Sequence, residues 1–484
     1  MSDAVKPLWN RFTYFPHQIT GIDWMLEKER IGTEVSLRNK EGTTCVKGGF
    51  QCDDMGLGKT IQMTAVMVNH VVKKTLLIAP LAMIDTWSAI CKRSGMAVYE
   101  VDKKKKGTWT LQNRKSPIPM RLMKHRPTIY ISNYEKLYTT TSLFRESWDR
   151  VVLDEAHKIR NANSIIAYFA RKVKAPLRWV ITGTPLVNSL KDVVSLLAFL
   201  SVPTSAMFSW EKRYTTILPQ ILIHRSLDSL RTDIQGAPPV PEIHHRMLPF
   251  TTTAEEEFYH GVQCTSTSAA LKYGADRINA SNPLLLLLRL RQISVHPQVY
   301  INSKRREYPH YPRPDWVGPS TKLEAVKSIL TSETDQLHKY IIFCQFNDEM
   351  KLIHEYLLQE KLVKDENILM YNGQMNQEER RVVLETSKAT QETTVLLIQL
   401  QAGGVGLNLQ EYDRVLFISP WWTSAMMDQA VARAVRMGQT KVVKVYHLHL
   451  QAEQENTINI DEVVNTKAEE KRKMLEKLFA LCVQ

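Results

Sequence analysis

The strongest constraint on this chain is a rhythm that occurs twice. Short apolar runs alternate with helical segments at 75–80, 128–132, 150–155 and 178–184, and again at 339–344, 366–373, 393–399, 414–420 and 442–448. Strands that are apolar along their whole length are covered on both faces, and strands separated by helices pair in parallel. The expected fold class is therefore α/β, with two parallel-sheet lobes. Chemistry in such sheets sits in the turns at the carboxyl ends of the strands. The proline-rich connectors "GAPPVPE" (236–242) and "YPHYPRPDWVGP" (308–319) resist regular structure and mark boundaries. They divide the chain into a first lobe at 10–235, a helical inter-lobe linker at 236–318, a second lobe at 319–465 and a C-terminal helix at 466–484.

One turn stands out, "CDDMGLGKTIQ" at 52–62. Two glycines flank one residue, a lysine and a threonine follow, and an apolar run with helical spacing comes next. Backbone N–H groups of a glycine-rich turn can converge on an anion, and the positive end of the following helix points at the same place. Lys59 would reach the β- and γ-phosphates of a nucleotide, and Thr60 would offer its hydroxyl to Mg²⁺. The alternative is a C-cap glycine followed by a new helix, and the generic phosphate-loop pattern wants glycine where this chain has Asp53. A partner for Lys59 appears in "VVLDEAHKIRN" (151–161), where an apolar strand ends in Asp154 and Glu155. An acidic pair at the edge of a parallel sheet is costly unless a cation or a proton-transfer task accounts for it. Asp154 would hold Mg²⁺ through water, and Glu155 would polarise the water that attacks the γ-phosphate.

The second stretch supplies a glycine turn, "QAGGVGLNLQ" (401–410), and "DQAVARAVRMGQ" (428–439). The latter spaces Arg433 and Arg436 three residues apart, as if on one helical face. Arginine is permanently charged and forks onto phosphate oxygens, so a second lobe carrying it can complete a nucleotide site.

The bulk numbers narrow the partners. A net charge of +13 points to a polyanion, nucleic acid before acidic membrane. Residues 103–126 concentrate part of that charge, with the alternative of a solvated surface loop. The six cysteines include no C-x-x-C pair, so neither zinc nor a disulfide framework is expected, and the protein belongs to a reducing compartment. The N-terminus lacks a signal-peptide core, and the apolar run "PLLLLLRLRQI" (283–293) is too short to span a bilayer. It reads as a buried helix, and the protein as intracellular, not secreted and without a membrane partner.

With these motifs in order, the chain resembles the Swi/Snf family of superfamily-two helicase-like ATPases over about residues 12–450. "FPHQITGIDWM" (15–25) is similar to the adenine-reading segment, and "DDMGLGKT" (53–60) to the family's form of the phosphate loop, which accounts for Asp53. "LLIAPLAMIDTW" (76–87), "ISNYEKL" (131–137), "DEAH" (154–157) and "TGTPLVNSLKDVVSLLAFL" (182–200) continue the series. "LLRLRQISVHPQV" (287–299) resembles the link between lobes, and "IIFCQF" (341–346), "YNG" (371–373), "AGGVGLNL" (402–409) and "SPWWTSAMMDQAVARAVRMGQ" (419–439) complete it. The double tryptophan is similar to repair-type translocases that carry a RING insert, but no RING cysteines lie between the lobes here.

The resemblance implies two RecA-like lobes, ATP as substrate and Mg²⁺ with it. It implies catalytic roles for Lys59, Asp154, Glu155, Arg433 and Arg436. ATP binding falls to Gln18, as adenine reader, and to Asp53, Asp54, Met55, Gly56, Leu57, Gly58, Lys59, Thr60 and Gln429, with Thr60 and Asp154 holding Mg²⁺ largely through water. Gly183, Thr184, Gly403, Gly404, Asn408 and Trp421 become the candidate DNA contacts. The sequence departs from the family's pattern at Phe15, Val187, Gln399, Gln401, Ser419 and Thr423, none of which binds phosphate or metal.

The leading expectation is an ATP-driven translocase on double-stranded DNA that remodels or displaces DNA-bound proteins of unknown identity. It would act as a monomer, in the nucleus or another DNA-containing compartment, which for a viral chain would be the viral factory. The rivals are a strand-separating DNA or RNA helicase and a nucleic-acid-binding scaffold with a silent nucleotide site.

Overall fold

The computed structural model describes residues 5–36, 43–101, 109–111, 127–140, 142–203, 210–272, 281–333, 336–403, 407–452 and 457–482. The basic stretch at 103–126 therefore lies almost wholly outside the described residues, as do Gly404 and Gly406. Contacts divide the chain into two units, Met1–Gly236 together with Lys471–Gln484, and Ala237–Glu470.

The first unit is built on strands β1 (Thr33–Ser36), β2 (Thr43–Gln51), β3 (Thr75–Ala79), β4 (Ala97–Val101), β5 (Trp109–Leu111), β6 (Thr128–Asn133), β7 (Arg150–Asp154), β8 (Leu177–Ile181) and β9 (Leu222–Ile223). Their order is β1-β2-β8-β7-β3-β6-β4-β5, with β9 also paired to β2. Among the described residues, only the outer pairs β1/β2 and β4/β5 run antiparallel. Alternation along the central strands fills both faces. Leu76, Ile78, Val151, Leu153 and Val180 join one core with the helix Leu190–Phe199. Leu77, Val152, Trp179 and Ile181 join the other, with the helices Pro16–Arg30 and Lys59–Asn69. All five residues of β3 and of β7 are buried, as the apolar runs require.

A buried ion pair ties these helices to the sheet. Glu29, at the end of Pro16–Arg30, accepts from Arg150 Nε at 2.6 Å and from Trp179 Nε1 at 2.8 Å, and meets His70 Nδ1 at 2.6 Å. Arg150 also donates to the His70 carbonyl at 2.7 Å. Burial pushes the Glu29 carboxyl up, but the Arg150 charge and these hydrogen bonds together hold it below its ordinary range.

The second unit carries β10 (Glu242–Pro249), β11 (Lys339–Cys344), β12 (Ile368–Tyr371), β13 (Thr394–Gln399), β14 (Arg414–Phe417) and β15 (Lys444–Gln451), in the order β10-β15-β14-β11-β13-β12. Every pairing is parallel. Tyr340, Ile342, Val395, Leu397 and Leu416 face one core, and Ile341, Phe343, Leu396, Ile398 and Val415 the other. Residues 236–318, read from sequence as a helical linker, also contribute β10 as an edge strand of this sheet. The leucine run lies in the helix Ser281–Val295, whose Leu290 and Ile293 are buried and whose Leu285 is exposed. The closing helix starts earlier than its charge pattern suggests, at Ile460, and runs to Ala480. No helix among the described residues is long and apolar enough to cross a membrane.

Candidate nucleotide site

Three neighbouring strands, β2, β8 and β7, deliver the sequence motifs to one edge of the first sheet. The glycine loop follows β2, Thr182-Gly183-Thr184 follows β8, and Asp154 ends β7 opposite Ile181. Gly58 has φ +80°, and a Cβ there would lie 2.5 Å from Gln18 Nε2, so both conformation and space call for glycine. The Leu57 carbonyl gathers His17 Nε2 at 3.1 Å, Gln18 Nε2 at 3.4 Å and Gln62 Nε2 at 3.2 Å. Gln18 in turn accepts the Phe15 amide at 3.1 Å. The segment expected from sequence to read adenine and the loop are thereby one hydrogen-bonded body.

Lys59 Nζ donates to the carbonyls of Asp53 at 2.6 Å and Asp54 at 3.1 Å. A Cβ built on Gly183 would sit 3.7 Å from that same Nζ. Gly183, assigned to DNA by the resemblance, is thus placed against the glycine loop, and Thr184 is buried beside it. Asp53 is fully buried, and its carboxylate accepts from Gln51 Nε2 at 2.8 Å, Gln62 Nε2 at 3.0 Å and Arg225 Nε at 2.9 Å. Where the generic loop has glycine, this one has a carboxylate anchored by an arginine from just after β9. Asp54 accepts from the Leu227 amide at 2.9 Å and faces His224 Nε2 at 3.4 Å. Burial pushes the Asp54 carboxyl up, but the hydrogen bonds from His224 and Leu227 bring it below its ordinary value.

Asp154 is buried and accepts from Trp87 Nε1 at 2.7 Å and from the Glu155 amide at 3.0 Å. Burial, then the adjacent Glu155 charge, pushes its carboxyl up to about 7. Glu155 has φ 50°, a left-handed conformation that costs a non-glycine residue roughly 1 kcal/mol or more, and such strain collects at functional turns. Its Oε2 lies 3.3 Å from His157 Nδ1. A pair of carboxyls this poorly solvated has a large gain to make from a divalent cation, so the donor set fits Mg²⁺, while Thr60 stands in the first turn of the helix that follows the glycine loop.

In the second unit, β14, β11 and β13 are neighbours, and the turns after them carry the remaining motifs. The helix Ser424–Val431 ends before the two arginines, which corrects the expectation of one helical face. The Arg433 carbonyl is taken by the Leu409 amide at 3.0 Å instead of continuing the helix, and a run of tight turns follows. Arg436 donates to the Leu407 carbonyl at 3.1 Å, and burial lowers its guanidinium pKa. Gln429 and Arg433 are buried. Among the candidate DNA contacts here, Asn408 is exposed, Gly403 ends the short helix Leu400–Gly403, and Gly404 lies outside the described residues.

Two features of this unit escape a reading by motif. Arg291, in the link segment, lies over Trp421 at 5.0 Å and Trp422 at 5.6 Å and donates to Gln345, whose Nε2 donates to the Pro420 carbonyl at 3.0 Å. Ser419, where the family's pattern has aspartate, accepts from the buried Lys322 at 2.6 Å, and Asp461 of the closing helix supplies the carboxylate at 2.6 Å. A departure in one motif is thus balanced from outside it.

A parallel-sheet unit with a lysine-bearing glycine loop beside an acidic strand end, followed by a second parallel-sheet unit with arginines in the turns after its strands, defines the class of helicase-like ATPases. The SNF2-related domain model matches residues 17–299, and the helicase conserved C-terminal domain model matches 321–438. The chain belongs to the SNF2-related family, and is a helicase-like enzyme that hydrolyses ATP. It is 28% identical to a probable global transactivator of Orgyia pseudotsugata multicapsid polyhedrosis virus, over 96% of this chain and 91% of that protein. It is 26% identical to the putative ATP-dependent helicase/translocase YwqA of Bacillus subtilis, over 97% of this chain and 51% of that one. A SWI/SNF-related, matrix-associated, actin-dependent regulator of chromatin (subfamily A member 1, Mus musculus) is 25% identical, over 89% of this chain and 41% of the other. The chain thus spans about half or less of the latter two.

Proposed function

We propose that this protein couples ATP hydrolysis to movement along double-stranded DNA, and so remodels or displaces proteins bound there. The observation that carries the proposal is the convergence of Lys59, Gly183 and the Asp154–Glu155 pair at one sheet edge, in a chain of this family. Lys59 would exchange the loop carbonyls for phosphate oxygens, while Gly56, beside which a Cβ would meet nothing within 4 Å, would leave backbone room for the phosphate chain. Glu155 would orient and deprotonate the attacking water, and Arg433 and Arg436 would meet the charge that develops on the γ-phosphate. Mg²⁺, held by Thr60 and by Asp154 through water, would neutralise the phosphate charge. The net charge of +13 supports tracking on a phosphate backbone, which gives affinity without sequence preference. The names of relatives, a helicase/translocase and a regulator of chromatin, favour the same substrate. We assign it to a DNA-containing compartment, nuclear or viral, and to a monomeric state.

The test sets a triplex against a fork. A translocase strips a third strand from a duplex in an ATP-dependent way and leaves a plain forked duplex paired. Unwinding of the fork without triplex displacement would replace this reading with a strand-separating helicase. Absence of DNA-stimulated turnover would replace it with a scaffold.

A further inference from the structure

The C-terminal helix packs on the core from which the glycine loop departs. Lys471–Gln484 belong with the first unit, although the 234 residues before them form the second. Leu478 is 1% exposed, in the same core cluster as Phe50 and Cys52, which lead into the glycine loop, and Met474, Leu475, Phe479 and Cys482 pack against that cluster. The Phe479 ring lies flat on the His224 imidazole, with centroids 3.6 Å apart and 4° between the planes. His224 Nε2 faces Asp54 Oδ1 at 3.4 Å, and the Asp54 amide donates to the Arg225 carbonyl at 3.0 Å. The Asp54 carbonyl, finally, receives Lys59 Nζ at 3.1 Å. A continuous line of contacts runs from the C-terminal helix to the phosphate-loop lysine.

We infer that Phe479 is a positioning residue for ATP binding, acting through His224 and Asp54 on the loop that carries Lys59. An imidazole turns readily about its second side-chain torsion, and that turn would carry Nε2 away from Asp54. A parallel aromatic ring at van der Waals distance restricts the turn, which an aliphatic side chain of similar bulk does not. Asp54 also holds the Leu227 amide, so its carboxylate pins the segment after β9 to the loop from two sides. Loosening His224 frees one of the two. The inference rests on Lys59 as a phosphate ligand, since only then does the loop's position govern affinity.

The experiment measures ATP affinity by titration with a fluorescent ATP analogue, alongside turnover and melting temperature. Phe479→Leu keeps the bulk and loses the stack. It should weaken ATP binding by roughly three- to tenfold, the size of an aromatic pair's contribution beyond burial, with kcat near that of the parent and a melting temperature lower by no more than about 6 °C, what the lost contact itself costs the fold. Phe479→Tyr should restore the affinity. His224→Gln, a second route to the same contact, should weaken binding similarly and add nothing to Phe479→Leu. Parent-like affinity in Phe479→Leu, equal affinity in the Leu and Tyr variants, or additive losses in the double variant would overturn the inference. Lys59→Ala in the same titration separates the two readings. Unchanged affinity there removes the site assignment itself, whereas loss there beside an unchanged Phe479→Leu removes only the role of Phe479.

Discussion

Asp154→Asn should abolish turnover and yet make the metal-free protein more resistant to heat at alkaline pH. The Asp154 carboxyl is moved from an ordinary 3.8 to about 7, by burial first and by the Glu155 charge second. A carboxyl whose pKa is raised by folding binds its proton more tightly in the native state. Stability therefore falls as pH rises through the window between those two values. At pH 8 the ionised side chain costs on the order of 4 kcal/mol, at about 1.4 kcal/mol per pH unit. Asparagine removes the charge but keeps one acceptor where aspartate uses two, for the Trp87 indole and the Glu155 amide. The unsatisfied donor takes back about 1–3 kcal/mol. What remains is roughly 2 kcal/mol, or about 4–8 °C in a unit of this size. At pH 5 the parent carboxyl is already protonated, so the advantage should vanish. Melting curves in a chelator from pH 5 to pH 8, with ATPase assays in parallel, check this. An asparagine variant that melts below the parent at pH 8, or by the same margin at both ends, would refute the reasoning.

Other changes have equally definite outcomes. Glu155→Gln should keep ATP and DNA binding while hydrolysis collapses; parent-like turnover would show that another group activates the water. Arg436→Ala should lower kcat far more than ATP affinity, as steady-state kinetics beside direct titration would reveal. Arg150→Met leaves Glu29 buried without its counter-ion and should cost about 3–5 kcal/mol in denaturant melts, much of it recovered by adding Glu29→Gln. DNA-stimulated ATPase should fall steeply with salt and vary little with DNA sequence.

The runs that were legible in the sequence were those buried on both faces. β3, β6, β7 and β8, and every strand of the second sheet except β10, announce themselves as stretches rich in apolar residues, although Arg178 interrupts β8 and His447 and His449 interrupt β15. β2 does not, because Gly48 and Gly49 interrupt it. A Cβ at Gly48 would lie 1.9 Å from the Arg178 carbonyl, so the glycine that hides the strand is the one that lets β8 approach. β10, "EIHHRMLP", is an edge strand whose residues are all exposed or half-buried, so it carries no apolar run to read. The phosphate loop and acidic pair were legible because their chemistry is local. Arg225 was not, being a lone arginine 172 positions from Asp53. The one signal was Asp53 itself, since a carboxylate in place of a loop glycine needs a cation somewhere. The helical face assumed for Arg433 and Arg436 failed because three-residue spacing looks the same in a helix and in the turns that end one.

The pairing of β10 with β15 also sets a timetable. Glu242 lies opposite Lys444, about 200 residues later, so a ribosome exposes β10 long before its neighbour exists. During that interval a strand bearing Ile243 and Met247 on its surface presents an open ladder to other chains. The first unit waits longer still, because Leu478 is part of its core. Neither unit can be finished until the end of the chain has been made.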